Sequence, residues 1–87
     1  MTLSDKNRKK LGEYLKAVRT TAGKSQQDLA IAMRLTSNQH VSNVERGKSA
    51  ASMEYLKKYQ KICDTDKNKF VIEIQKLYVD QIREALK

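Results

Sequence analysis

Residues 25–49 read SQQDLAIAMRLTSNQHVSNVERGKS and contain two short segments with helical spacing, separated by a break. In the first segment, Ser25 can cap a helix, and Leu29, Ala30 and Met33 make a short apolar face. The alanine is small enough to let the backbone of another helix approach closely. This pattern predicts a helix of about two turns.

The second segment, which follows the break, has only a narrow apolar stripe. Thr36 or Ser37 can cap it, Val41 and Val44 would face inward, and Gly47 would end it. Most of the other positions carry serine, asparagine, glutamine or a charged side chain. We therefore predict a second short helix with a polar outer face, joined to the first by only about four residues.

The flanking sequence indicates three further helices. Apolar residues at helical spacing predict a first helix over about residues 5–22, and Ser52 can cap a helix that follows the two short ones. The longest helix is predicted over about residues 65–86, with a wide apolar stripe. Proline is absent and glycine occurs three times, which favours helices. Residues 1–87 are thus expected to form one all-α domain of five helices.

The charge is positive and unevenly distributed. Lys and Arg total 18 against 10 Asp and Glu, a formal net charge of +8. Residues 1–24 hold seven basic and two acidic side chains, whereas residues 64–87 hold five of each. A basic body with a neutral C-terminal part favours a polyanion-binding surface on the first and a packing role for the second. A basic surface that serves only solubility is the alternative.

The composition argues against several other classes of function. Cys63 is the only cysteine and His40 the only histidine, so neither a disulfide framework nor a closed zinc site is expected. Cys63 is expected to be a small buried hydrophobe at a helix end. There is no apolar run of the ~18 residues that a membrane span needs, and no signal peptide is visible. We expect a cytoplasmic protein without a cofactor, and no enzyme, because no nucleophile–base set is present.

Two short helices joined by a tight turn, the second polar and beside basic surface, are typical of a helix-turn-helix. The two segments contain, in this order, Gln26, Leu29, Ala30, Val41, Ser42, Glu45, Gly47 and Lys48. Through these residues, and over about residues 8–63, the chain resembles the lambda-repressor-like helix-turn-helix domain of Cro/cI (XRE) type transcriptional regulators. The resemblance implies a five-helix lambda-repressor-like DNA-binding domain with an extended C-terminal helix.

The sequence departs from the family pattern around the turn. Leu29 and Val41 are 12 positions apart, one more than the pattern usually allows. Arg34 stands where a glycine usually follows the first short helix, and Ala51 stands where a proline is common. If the extra residue lies inside the second short helix, the residues predicted to read bases shift by one position.

The resemblance makes the second short helix the recognition helix, which enters the major groove. Its exposed face would carry the base-contacting residues, because an amide can bond both N6 and N7 of adenine. We expect Gln39 and Asn43 to be the main base readers, and for Asn38 a role as a turn or cap residue is an equal alternative. The full predicted set is Asn38, Gln39, Ser42 and Asn43.

A second group of residues is predicted to contact backbone phosphates. Gln26 resembles the family glutamine that holds a phosphate and supports the recognition helix, with a solvated polar residue as the alternative. For the basic residues at the N-terminus, a position in solvent without a phosphate contact is an equal alternative. For His40 the alternatives are a contact with a phosphate and a position beside the turn. The predicted phosphate-contacting residues are Gln26, Ser37, Arg46, Lys48, Lys9 and Lys10.

Two further expectations concern packing. The resemblance implies a buried ion pair between Arg19 and Glu45, which would tie the first helix to the recognition helix. The C-terminal helix is predicted to form a dimer seam, with packing against the first helix as an alternative that does not exclude it. The residues of this predicted seam are Phe70, Ile74, Leu77, Tyr78 and Ile82.

The predicted function is sequence-specific binding of double-stranded DNA by a homodimeric transcriptional regulator, with repression as the expected mode. A bacterial or phage-encoded protein that associates with the nucleoid when bound would fit this function, and no membrane partner is expected. One alternative is an antitoxin-type protein that also binds a protein partner through the C-terminal helix. Another is a non-specific, nucleoid-type DNA binder.

Overall fold

In the computed structural model, which describes residues 2–87, the chain forms five α-helices and no strand. The helices are α1 (Asp5–Thr21), α2 (Gln26–Ala32), α3 (Gln39–Glu45), α4 (Met53–Cys63) and α5 (Lys67–Ala85). The predicted all-α class is confirmed. None of these helices is both long and apolar enough to cross a membrane.

The N-terminal caps explain where most of the helices begin. The hydroxyl of Ser25 accepts a hydrogen bond from the backbone N–H of Asp28, whose carboxylate accepts one from the Ser25 backbone, so α2 has a complete capping box. Ser52 caps α4 in a similar way, through the backbone N–H of Tyr55. Asp66 caps α5, which therefore begins two residues later than the sequence pattern predicted.

The helix α3 does not begin at the predicted cap. Asn38 occupies the N-cap position, and its side chain makes no capping hydrogen bond. The expectation that Thr36 or Ser37 is the cap residue was therefore wrong, although the Ser37 hydroxyl accepts a hydrogen bond from the backbone N–H of Gln39. Because α3 starts late, the connection from α2 covers residues 33–38 and is longer than predicted.

The connection after α2 is shaped by a residue in the left-handed conformation. Arg34 has φ of +59°, at the position where the family pattern has glycine. The backbone N–H of Leu35 donates to the Ala30 carbonyl and that of Arg34 to the Ile31 carbonyl, which together form a Schellman motif. The departure at Arg34 thus leaves the geometry of the turn intact, at an expected conformational cost of about 1–2 kcal/mol.

The core lies where α1, α2, α3 and α4 meet. The largest fully buried side chains belong to Leu15, Leu29, Val41, Val44 and Tyr59. The apolar residues predicted for the two short helices are all buried, which confirms the period assigned to each helix. The two short helices therefore direct their polar sides away from this core.

The helix α5 packs antiparallel against α1. Near the start of α1, the Asn7 Nδ2 donates to the Leu77 carbonyl over 3.3 Å, and farther along, the rings of Tyr14 and Phe70 lie 5.9 Å apart. Phe70 is buried, and Ile74 and Leu77 pack against the core. The helix α5 therefore packs against α1 of its own chain, which was the predicted alternative to a dimer seam.

This packing changes the predicted dimer seam. Phe70 is only 5% exposed within a single chain, so its place in the seam was wrong, because its side chain already fills the core of this chain. Tyr78 is half-buried and Ile82 is 45% exposed. A different set of large apolar side chains on α5 is exposed and is called here the outer face of α5: Val71, Ile72, Val79, Ile82 and Leu86.

Candidate nucleic-acid interface

The helix α3 separates an apolar side from a polar side. Val41 and Val44 are buried, as their spacing of three predicts for one face of a helix. On the other side, Gln39 is exposed and Ser42 and Asn43 are half-buried, and Asn38 is exposed just before the helix. The four residues predicted to contact bases therefore all remain accessible.

Three of the polar side chains on this accessible side are linked by hydrogen bonds. Gln39 Nε2 donates to Asn43 Oδ1 over 3.0 Å, and Arg46 Nη2 donates to the same oxygen over 3.0 Å. These residues are four and three positions apart, so they lie along one line of the helix surface. The predicted phosphate-contacting residue Arg46 is thus in direct contact with a predicted base reader.

The last residue of α3 is buried within a polar cluster. Glu45 is 5% exposed, and its Oε2 lies 2.7 Å from the Arg19 Nε while its Oε1 lies 3.0 Å from the Arg19 Nη2. Gln26 Nε2 donates to Glu45 Oε1 over 3.1 Å, and the Tyr59 hydroxyl lies 3.0 Å from Oε2. One carboxylate thereby connects α3 with residues of α1, α2 and α4.

The environment of Glu45 keeps it ionised. Burial alone would raise the pKa of its carboxyl, but hydrogen bonds from Arg19, Gln26 and Tyr59 outweigh burial and hold the pKa below its ordinary value. Burial, together with the nearby Glu45 carboxylate, raises the pKa of Tyr59, which stays protonated as a donor. The cluster is therefore a charged pair with a neutral hydroxyl, fixed at the C-terminal end of α3.

Two glycines allow α1 to approach this end of α3. A Cβ on Gly12 would lie 2.3 Å from the Glu45 carbonyl oxygen, and one on Gly47 would lie 2.7 Å from the Lys9 Cα. Sequence reasoning did not identify Gly12, although a glycine inside an apolar helical pattern, at a cost of about 1 kcal/mol, is a signal of close packing. The orientation of α3 is therefore set by backbone contact as well as by Glu45.

The basic residues predicted to contact phosphates have different surroundings. The backbone of Lys9 lies against Gly47, the residue before Lys48, so this part of α1 lies close to the segment that follows α3. Lys9, Lys10, Arg46 and Lys48 are all exposed. Arg8 differs from them, because its Nε donates to the Gly47 carbonyl over 2.7 Å and its Nη2 lies 2.6 Å from the Asp5 carboxylate.

Two other predicted phosphate contacts already have partners within the chain. The Gln26 amide donates to Glu45, so it supports α3 as the family resemblance implies, while its contact with a phosphate stays a prediction. The Ser37 hydroxyl is exposed and accepts from the backbone N–H of Gln39. It can still donate its own proton to a phosphate oxygen.

The single histidine contacts α4, and the single cysteine is part of it. The His40 ring packs edge-on against Tyr55, with ring centroids 5.3 Å apart. Cys63 is buried at the end of α4, as predicted, and burial raises the pKa of its thiol. Among residues 2–87, no group of three or more His, Cys, Asp or Glu side chains is placed to hold a metal ion.

The arrangement of α2, the following turn and α3 defines a helix-turn-helix unit, in which the second helix turns its polar side outward. The helix-turn-helix family model HTH_3 matches residues 15–70, which is more than half of the chain. The chain therefore belongs to this family of XRE-type helix-turn-helix proteins, and the family predicted from the sequence is confirmed.

A solved structure is also similar to the chain. It is the crystal structure of the clp gene regulator ClgR from C. glutamicum, with 29% sequence identity and a TM-score of 0.68. The similarity covers 79% of this chain and 88% of that chain. A search of curated protein sequences finds no significant match.

Proposed function

We propose that the chain is a sequence-specific regulator of transcription that binds double-stranded DNA by placing α3 in the major groove. The observation that carries this proposal is the division of α3. Val41, Val44 and Glu45 are buried and fix the helix, while Gln39 and Asn43 are accessible and can bond base edges. Family membership and the similarity to a gene regulator support the same function.

The charges around α3 favour a polyanion. The only acidic residue of α3 is Glu45, which is paired internally and presents no charge outward. Exposed Lys48 lies in the segment after α3, and Lys9 of α1 lies against the preceding Gly47. Phosphate contacts from these lysines would supply affinity and position the helix, while the amides of α3 supply the choice of sequence.

The regulator would act as a homodimer on a two-fold operator. Ile72, Val79, Ile82 and Leu86 on the outer face of α5 recur at intervals of seven, three and four, which suits helix–helix packing. Residues 64–87 carry equal numbers of acidic and basic side chains, so two copies can meet there without net repulsion. Two α3 helices in such a dimer would read half-sites ~34 Å apart, and occupancy of the operator would repress transcription.

Selection of bound sites from random duplex DNA tests the proposal. We expect enrichment of one sequence in two inverted half-sites, bound at least ~10³-fold more tightly than competitor DNA. Binding to duplexes of every sequence with similar affinity would instead indicate a nucleoid-type binder. Absence of binding to any duplex at low salt would contradict the proposal.

The Gln39→Ala variant connects this selection to α3. We expect it to relax the preference at the base pair that Gln39 reads in each half-site, because its base-reading amide is lost. Lys48→Ala is the matched control, since it removes a phosphate contact and should weaken binding to all sequences similarly. An unchanged selection profile for Gln39→Ala would argue against α3 as the reading helix.

A further inference from the structure

The amide of Asn43 is held in a single orientation by its neighbours. Both Gln39 Nε2 and Arg46 Nη2 donate to Asn43 Oδ1, each over 3.0 Å. A guanidinium carries donors only, so the atom of Asn43 that faces Arg46 must be the carbonyl oxygen. The two hydrogens of Asn43 Nδ2 are then the hydrogen-bonding groups that this side chain can offer to a ligand.

Gln39 and Asn43 therefore present different groups to a base, although both are amides. An amide oxygen has two acceptor positions, and both positions on Asn43 are occupied. Gln39 has used only one of its two N–H donors, and its Oε1 makes no bond within the network. Gln39 can thus donate and accept together, whereas Asn43 can only donate.

The major-groove edges of the bases distinguish these two patterns. Adenine offers an acceptor, N7, beside a donor, N6, and suits a group that both donates and accepts. Guanine offers two acceptors, O6 and N7, and thymine offers the acceptor O4, so both suit a group that only donates. Cytosine offers only a donor, and it leaves a donor-only side chain without a partner.

We infer that Gln39 selects adenine and that Asn43, held as a donor by Arg46, selects a keto base, with guanine preferred over thymine. The inference rests on the proposed function, because it assumes that α3 enters the major groove. Arg46 becomes a positioning residue for specificity, in addition to the phosphate contact predicted for it. Its four other N–H donors stay available for a phosphate.

The inference is tested by selecting bound sites from random duplexes with the wild-type chain and with variants of α3. Asn43→Ala identifies the base pair that Asn43 reads, since the preference there should relax. At that pair, the wild type should favour guanine over adenine by roughly tenfold, at the lower end of what one bidentate contact provides. Arg46→Ala frees one acceptor position on Asn43 Oδ1, so adenine should become as well bound as guanine.

Two further variants separate positioning from other roles. Lys48→Ala removes a neighbouring positive charge and should lower affinity without changing the base preference at the Asn43 pair. Asn43→Asp keeps an oxygen toward Gln39 and Arg46 but has no donor, so the preference should move to cytosine, whose N4 donates. Unchanged circular dichroism and thermal unfolding would show that each variant is folded.

The outcomes distinguish the inference from the function on which it rests. A specific motif with adenine at the Asn43 pair would overturn the inference and leave the proposed function standing. A keto preference that survives Arg46→Ala, with a uniform loss of affinity, would overturn the positioning role of Arg46. If no sequence is enriched by the wild type, both the inference and the proposed function fail.

Discussion

The two helices α3 and α5 use their apolar residues in opposite ways. Each valine of the 7-residue α3 is buried, and the helix leaves amides and a hydroxyl accessible. The 19-residue α5 buries Phe70 against α1 and leaves an apolar outer face. A polar accessible side suits base edges and an apolar one suits another protein surface, so we expect separate partners for the two helices.

The largest expected effect is on the attachment of α3. Glu45→Ala leaves the Arg19 guanidinium buried without its carboxylate and removes the link to Gln26, so the free energy of unfolding should fall by about 3–5 kcal/mol. Urea denaturation measures this change. Glu13→Ala, at an exposed position of α1, is the control and should change stability by less than about 0.5 kcal/mol. A loss below about 1 kcal/mol for Glu45→Ala would show that its ion pair does not hold α3 in place.

Protonation of Glu45 removes the charge of its carboxylate but keeps the side chain, so it should destabilise the fold less than Glu45→Ala does. The folded-state pKa of Glu45 lies below its ordinary value of 4.5, so its ionised form stabilises the fold above that value. That stability should be lost as the pH falls through the lowered pKa, and the lowered pKa of Asp28 acts in the same direction. Denaturation from about pH 5 to about pH 3 should therefore show a steeper loss for the wild type than for Glu45→Gln. Parallel curves for the two proteins would be evidence against this role of Glu45.

The two sides of α5 are compared by placing one charge on each. Ile74 packs against the core, so Ile74→Glu should destabilise the monomer by about 1–3 kcal/mol. Val79 is 43% exposed, so Val79→Glu should leave the monomer within about 0.5 kcal/mol of the wild type. In sedimentation, Val79→Glu should nevertheless abolish the dimer. A Val79→Glu protein that still sediments as a dimer would exclude the outer face as the dimer contact.

Two buried tyrosines next to the polar cluster differ in their hydrogen bonding. The Tyr59 hydroxyl lies 2.7 Å from the Leu15 carbonyl oxygen and also contacts Glu45, whereas the buried Tyr55 hydroxyl has no partner among residues 2–87. Tyr59→Phe should lower the free energy of unfolding by about 1–2 kcal/mol. Tyr55→Phe should be neutral or stabilising by up to about 1 kcal/mol, because it removes an unsatisfied group. An equal decrease in the free energy of unfolding for both variants would show that the hydrogen bonds of Tyr59 do not stabilise the fold.

The smallest predicted effect concerns the turn before α3. Arg34 adopts φ of +59°, a conformation that glycine tolerates better, so Arg34→Gly should stabilise the fold by about 0.5–1 kcal/mol. Arg34→Ala is the control and should not be stabilising, because alanine has the same conformational restriction. Thermal unfolding of the two variants measures the difference. A stabilising Arg34→Ala would indicate that the Arg34 side chain, and not its backbone, is unfavourable.

The sequence was most informative where one local pattern decides the structure. The caps at Ser25 and Ser52 and the inward valines of α3 depend on residues that are close in the chain, and the structure has all of them. The family resemblance supplied what periodicity could not. From periodicity alone, Arg19 would be a solvated residue of α1, yet its side chain bonds Glu45.

The features that were missed depend on residues far apart in the chain. The place of Phe70 follows from the antiparallel packing of α5 on α1, because that packing determines which part of a wide apolar stripe is covered. The role of Gly12 follows from its approach to the Glu45 carbonyl, which no local pattern contains. The start of α3 at Gln39 depends on the connection of residues 33–38, whose length the sequence pattern did not give.

The most direct measurement of the central claim follows the side-chain amide resonances of Gln39 and Asn43 by NMR while the selected duplex is added. If the accessible side of α3 contacts base edges, these resonances should shift the most, while the backbone resonances of the outer face of α5 should not move. Large shifts on the outer face of α5, with unchanged Gln39 and Asn43 amides, would contradict the account.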